Sequence, residues 1–183
     1  IQVNGYIKEL ITENFVRDET TLNTTMLTHN RINLRVTPLP SLTIGLEMRN
    51  RIFFTDMKKF IPDYGKQLGR DYGWGDMSFT VFDGDLFIFH TMIDRAYIDW
   101  KQGKWNIRAG RQRLNWGINM GWNPNDIFNT YNFLDFDYEE RPGTDAVKLQ
   151  YDLNEFSNLE LAFAPKSDAH ELIGALKYAF NKK

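Results

Sequence analysis

Two neighbouring stretches change polarity at every second residue, and this constrains the fold more than any other feature of the chain. Leu22, Thr24, Met26, Thr28, Asn30, Ile32, Leu34 and Val36 share one parity, while His29, Arg31, Asn33 and Arg35 share the other. Leu42, Ile44, Leu46, Met48, Ile52 and Phe54 then alternate with Thr43, Gly45, Glu47, Arg49, Arg51 and Phe53. A side-chain period of two belongs to a strand with two unlike faces. Between the stretches lies Thr37-Pro38-Leu39-Pro40-Ser41, which reads as a turn because proline fixes φ and withholds a ladder donor. The two strands therefore make a hairpin. Each has an apolar face and a face carrying arginine. A water-soluble protein turns the apolar face inward. A membrane barrel turns it outward to lipid and its polar face inward to water. Period alone leaves both open.

The same reading finds weaker alternation from Val3 to Ile11, then a charged break from Asn14 to Thr21. Ala96, Ile98 and Trp100 alternate with Arg95, Tyr97 and Asp99; a Gly-containing turn, Lys101 to Lys104, leads into Trp105, Ile107 and Ala109. Three more alternating runs follow, around Val147 to Tyr151, Leu159 to Ala164, and Leu172 to Phe180. Phe87 to His90 is apolar and ambiguous between strand and short helix. Asp56 to Phe82, punctuated by Pro62, Gly65, Gly69, Gly73 and Gly75, has the composition of a long loop. The expected fold is all-β: an antiparallel transmembrane β-barrel with about eight strands in this chain, forming one domain over 1–183. Trp100 and Trp105 flank a turn where an aromatic girdle at the membrane boundary is expected.

Bulk properties agree with this and exclude other classes. A net charge of -2 over 183 residues gives no basic field for nucleic acid. With no cysteine there are no disulfides and no thiolate metal sites. Mean hydropathy is -0.48. A membrane barrel tolerates this, since its strands show lipid only every second residue. The sequence opens Ile1-Gln2-Val3 without a signal-peptide pattern, as expected of a secreted chain after cleavage or of a trimmed one.

A basic strand ending at Arg113 runs into an acidic, aromatic, turn-rich excursion before strands resume at Thr144. Loops this long inside compact domains are uncommon and often functional, so 114–143 is expected to be an inserted loop, folded inward to narrow the barrel. Eight strands enclose a space that side chains alone fill. The arginines and the loop together need more room, so the expectation is a larger barrel whose C-terminal strands lie outside this sequence. A complete small barrel with the loop outside is the alternative.

Three segments carry a resemblance: Gly110-Arg111-Gln112-Arg113-Leu114-Asn115-Trp116-Gly117, Asn123-Pro124-Asn125-Asp126-Ile127-Phe128-Asn129, and Asp137 to Ala146. With Asp94 to Asp99 before them, they resemble a Gram-negative outer-membrane porin-like β-barrel family, notably of Bacteroidetes-type bacteria. The likeness covers the middle third of the chain; elsewhere only the strand pattern agrees. It implies a cell-outer-membrane location, contact with lipid and lipopolysaccharide, and a longer natural chain.

The candidate pore-lining residues are Arg31, Arg35, Arg49, Arg51, Arg95 and Arg108, facing Asp135, Asp137, Glu139 and Glu140 of the loop. Opposed charge walls would filter solutes by charge; the same charges would equally pair and pin the loop down. Asn123-Pro124 has the form of a helix start, or of an ordinary turn. Asp135, Asp137 and Glu139 offer oxygen ligands for Ca²⁺ but lack the EF-hand spacing, so no metal and no cofactor is expected. Trp74, Trp116, Trp122, Tyr131 and Tyr138 fit a girdle or packing better than a sugar-stacking path. His29, His90 and His170 are scattered, so no catalytic residue is assigned and an enzyme is not expected. The expected function is a channel admitting small hydrophilic solutes by diffusion. The alternatives are a plugged barrel acting as a subunit of an envelope complex, and a soluble carbohydrate-binding β-sandwich.

Overall fold

The computed structural model describes residues 1–15, 22–61, 63–68, 71, 73–116, 127–128, 143–166 and 171–181. Among them are nine antiparallel strands: β1 (Gln2–Phe15), β2 (Leu22–Leu39), β3 (Leu42–Thr55), β4 (Ser78–Asp83), β5 (Phe87–Gln102), β6 (Trp105–Gln112), β7 (Thr144–Asn154), β8 (Ser157–Pro165) and β9 (Leu172–Phe180). All belong to one sheet, ordered β1-β2-β3-β5-β6-β7-β8-β9, with β4 attached to β5. Every strand on that path pairs with its sequence neighbours, apart from the β3–β5 step that bypasses β4. The sheet is not closed: among the described residues β1 and β9 do not pair with each other.

One expectation from the sequence is corrected here and one ambiguity is resolved. Asp56 to Phe82 is not a bare loop. It holds a 3-10 turn (Met57–Lys59), the short helix α1 (Tyr64–Leu68) and β4. The ambiguous Phe87 to His90 is the first turn-free stretch of β5, paired with β3 on one side and β4 on the other. β4 covers the upper half of the β5 edge and β6 the lower half, through Ser78↔Met92 and Ala96↔Arg111.

Registers carry the two-faced pattern across the whole sheet. One row runs Leu42↔Trp100↔Ile107↔Leu149↔Leu161↔Leu176, and the next runs Val36↔Ile44↔Ile98↔Ala109↔Val147↔Phe163↔Gly174. These rows form the apolar face, and much of it is exposed: Leu176 is 64% and Phe163 48% accessible. The opposite face carries the arginines. Arg31 is 1% accessible and His90 0%. Side chains that prefer water are buried, and side chains that avoid it are exposed, the reverse of the usual distribution.

The arginine face is the concave one. A cavity of about 380 Å³ is lined by residues of β2, β3 and β5 through β9, including Arg35 at one end of that series and Lys177 at the other. Two apolar patches also lie on this face. Leu27, Phe53 and Ile88 are buried beneath Tyr64 and Leu68 of α1. Leu114 and Phe128 are buried with Ala146, Ala162 and Ala164, and Ile173, Ala175 and Trp116 pack around them. The alanines keep the sheet surface low where the chain crosses it, so a segment can lie flat against the strands.

Candidate functional site

The site is the concave face, and its first layer is set by strand register. Arg31 on β2 stands directly opposite Arg49 on β3, and His29 opposite Arg51. Like charges facing across a ladder repel, so carboxylates must separate them. A β-bulge supplies one. Glu47 pairs with Arg95 and Met48 with Ile93, which leaves Asp94 as the extra residue on β5. A bulge re-aims a side chain, and this one turns Asp94 onto the concave face, where it is buried. Its carboxylate accepts from Arg31 Nη1 at 2.6 Å and lies 3.8 Å from Arg49 Nε. Glu47 Oε2 accepts from Arg31 Nη2 at 2.6 Å and from Arg95 Nη1 at 2.9 Å.

The remaining arginines of the set are also engaged. Arg51 Nη2 donates to the Leu68 carbonyl at 2.6 Å and lies 3.2 Å from His90 Nδ1, so this arginine ties α1 to the sheet. Arg108 pairs with Asp99 one strand away and stacks 4.7 Å over the Tyr97 ring. That ring covers Gly45, where a Cβ would collide with it. Arg35 is exposed to the cavity. The structure thus brings Arg31, Arg35, Arg49, Arg51, Arg95 and Arg108 to one face, and gives five of them partners on the sheet or on α1. Asp135, Asp137, Glu139 and Glu140 lie outside the described residues. So do Asn123-Pro124 and the aromatics Trp122, Tyr131 and Tyr138.

Of the described residues of the 114–143 excursion, Leu114, Trp116 and Phe128 pack on this face. Leu114 is buried against Ala162 and Ala164. Trp116 Nε1 donates to Glu160 Oε2 at 2.9 Å, its ring meets Phe128 edge-on at 5.2 Å, and Lys177 Nζ sits 5.6 Å over it. Glu160 Oε1 also accepts from Lys177 at 2.8 Å. Thr144 Oγ1 donates to the Phe128 carbonyl at 3.3 Å.

A second node was not visible as a site in the sequence. Arg111 has the parity of the apolar face, yet it is 3% accessible. It sits where β4 gives way to β6. Its Nε and Nη2 donate to Asp145 at 3.0 and 2.8 Å, its Nη1 to Asp71 at 2.5 Å, and its Nη2 to the Gly75 carbonyl at 2.5 Å. Asp71 Oδ1 and Oδ2 accept in turn from the N–H groups of Gly73 and Met77, both at 2.8 Å. One guanidinium thus satisfies a ring of acceptors and ties Asp71 and Gly75 to the sheet. A Cβ at Gly73 would meet the Arg111 guanidinium, which explains the glycine. Just beyond, the Ser78 N–H and hydroxyl both donate to Asp76 and hold its carboxyl below the usual carboxylate range.

Asp94, Glu47 and the pair Arg111–Asp145 are therefore members of the buried charge network that the candidate set lacked. The signal for Asp94 is the break in alternation between Ile93 and Arg95. The signal for Arg111 is a charged residue at an apolar parity. Among the described residues no group of three or more His, Asp or Glu side chains is arranged to hold a metal ion. No described helix is long and apolar enough to cross a membrane, which says nothing of strands. No protein-family model, curated protein or solved structure matches the chain.

Proposed function

We propose that the chain forms the wall of a Gram-negative outer-membrane β-barrel, with the arginine face toward a water-filled lumen and the apolar rows toward lipid. In this reading it admits small hydrophilic solutes by diffusion and needs no catalytic residue. The observation that carries it is the inverted burial: paired arginines inside, a continuous leucine, isoleucine and phenylalanine surface outside. Exposed apolar patches of this extent are not characteristic of soluble monomers.

Three further features support it. The apolar face has limits. From Leu42 to Met48 it spans roughly 20 Å of strand, and there a polar row begins, in which Asn50 Nδ2 donates to Asn30 Oδ1 at 3.1 Å and Thr91 to Asn50. That height is close to the ~25 Å apolar band of outer-membrane barrels. At the other limit, Trp105, Tyr151 and Tyr178 share one row through Leu159, and the Trp105 and Tyr151 rings are 4.5 Å apart; this is the place for an interfacial girdle. The connections at the girdle end are tight, at Pro40-Ser41, Gly103-Lys104 and Glu155-Phe156, while the long ones are all at the opposite end. Short turns on one side and long loops on the other are the habit of such barrels.

Lipid imposes a condition as well. Unpaired backbone groups at a sheet edge are not tolerated in hydrocarbon, so β1 and β9 must pair, with each other or with further strands. A two-sheet carbohydrate-binding sandwich is less well supported, because all the described strands share one sheet. The plugged-barrel reading has an observation of its own: α1 and Leu114 to Trp116 both pack on the arginine face.

Folding the full chain in detergent and comparing gel mobility before and after boiling tests the membrane reading. Compact, heat-modifiable migration is expected; a detergent-independent, monodisperse soluble protein would overturn it. Conductance in planar bilayers separates the open from the plugged barrel.

A further inference from the structure

The arginine face is not evenly neutralised. Where Asp94 and Glu47 meet Arg31, Arg49 and Arg95, cation and carboxylate interleave. The cavity of about 380 Å³ beside them is different. Six cationic side chains line it, Arg35, Arg95, Arg108, Arg113, Lys148 and Lys177, against two carboxylates, Glu47 and Glu160. Glu160 is already shared by Lys177 and the Trp116 indole, and Glu47 by Arg31 and Arg95. Among the described residues Arg35, Arg113 and Lys148 have no ion-pair partner. Even with Asp99 set against Arg108, the described residues give the cavity an excess of positive charge.

Its position matters too. Arg108 is the register partner of Asp99 on one side and of Lys148 on the other, one residue along from the row of Ile98 and Val147. The cavity thus lies at the depth of the apolar band, where low-dielectric surroundings strengthen its field. Two of its cations are braced on aromatic rings, Arg108 on Tyr97 and Lys177 on Trp116, which fixes their positions before any ligand arrives. Guanidinium groups match the geometry of carboxylate and phosphate oxygens.

We infer that this cavity is a binding subsite for small organic oxoanions, solutes carrying two or more carboxylate or phosphate groups, and that the passage it lines favours anions. The inference rests on the barrel reading for its place in a passage, but the subsite itself stands on the cavity. Arg113 and Lys148 supply the charge not committed to the fold, and Trp116 reports on the space they face.

The test uses the full chain folded in detergent, with citrate and fructose 1,6-bisphosphate as probes and sucrose as the neutral control, followed by calorimetry and tryptophan fluorescence at constant ionic strength. Both anions are expected to bind and sucrose is not; a preference between them tells carboxylate from phosphate. The double variant R113Q/K148Q is expected to weaken citrate about tenfold. K59Q/K101Q, which removes the same charge from exposed positions, is expected to leave it unchanged. Equal citrate affinity in the two double variants, or displacement by chloride as effective as by citrate, overturns the subsite. If the chain is soluble without detergent, the same titration still reports on the cavity, so loss of the barrel reading and loss of the subsite are told apart.

Discussion

Arg31 on β2 reaches across β3 and donates to Asp94 on β5 at 2.6 Å, with both side chains buried. The contact exists only because Asp94 is the bulged residue of its strand. Without the bulge, Arg31 and Arg49 would face each other with no carboxylate between them.

Asp94→Asn keeps the shape and removes the charge. It removes one of the two described carboxylates that Arg31 meets and the described carboxylate nearest Arg49. Uncompensated buried charge is expensive, so the variant is expected to lose about 3 kcal/mol in a urea titration of the folded, detergent- or lipid-bound chain. A loss within experimental error would show that the arginine face is solvated enough to need no internal counter-charge.

The Arg111 node predicts a local rather than a global effect. Arg111→Gln removes the donors that hold Asp71, Asp145 and the Gly75 carbonyl together. Trp74, between Asp71 and Gly75, is already exposed. Limited chymotrypsin digestion is expected to cut near Trp74 markedly faster in the variant, while strand content by circular dichroism is retained. Unchanged cleavage would mean that Asp71 and Gly75 are held by something other than this guanidinium.

Gly110 has φ of 110°, a region open to glycine alone, and a Cβ there would run into the Ala96 carbonyl oxygen of the neighbouring strand. Gly110→Ala is expected to cost about 1–3 kcal/mol from backbone strain. The same titration measures it, and a neutral result would contradict the tight β5–β6 approach.

Much of this fold is legible in the sequence, because a period of two survives wherever register is regular. β2, β3, β8 and β9 keep the alternation, as do β6 up to Gly110 and β7 from Ala146 onward, and their faces are placed as the pattern requires. The pattern fails in β5 for a physical reason. Ile88, His90 and Met92 face inward before the bulge, and Arg95, Tyr97 and Asp99 after it, so the phase inverts at Asp94 and neither half extends into the other. β4 is hidden differently. Its six residues follow a glycine-rich segment whose composition is that of a loop, and its edge pairing with β5 is a long-range fact. The candidate arginines were legible as a face. Their partners were not, since Glu47, Asp94 and Asp99 come together only once strand order and register are known. Which face meets water is a property of the surroundings, and alternation alone is silent about it.

The proposed lipid contact would have a consequence for single substitutions. Leu161 lies in the middle of an apolar row and is partly exposed. On a water-facing surface Leu161→Arg would change stability by no more than about 0.5 kcal/mol. On a lipid-facing surface near the bilayer midplane it is expected to cost about 2–4 kcal/mol. Comparing folding of the variant in phospholipid vesicles and the parent chain under the same conditions gives the difference.

The chain has no cysteine, so single cysteines can carry spin labels without background, and β8 is the strand on which to place them. Labels at Leu159→Cys, Leu161→Cys and Phe163→Cys, set against Asn158→Cys, Glu160→Cys and Ala162→Cys, report collision with lipid-soluble oxygen and with a water-soluble nickel chelate in vesicles. High oxygen access at the first three positions and low access at the intervening three is the expected result, with a period of two along the strand. Uniform access to the water-soluble probe at the first three, or failure of the chain to enter vesicles at all, would contradict a membrane barrel that turns its arginines inward.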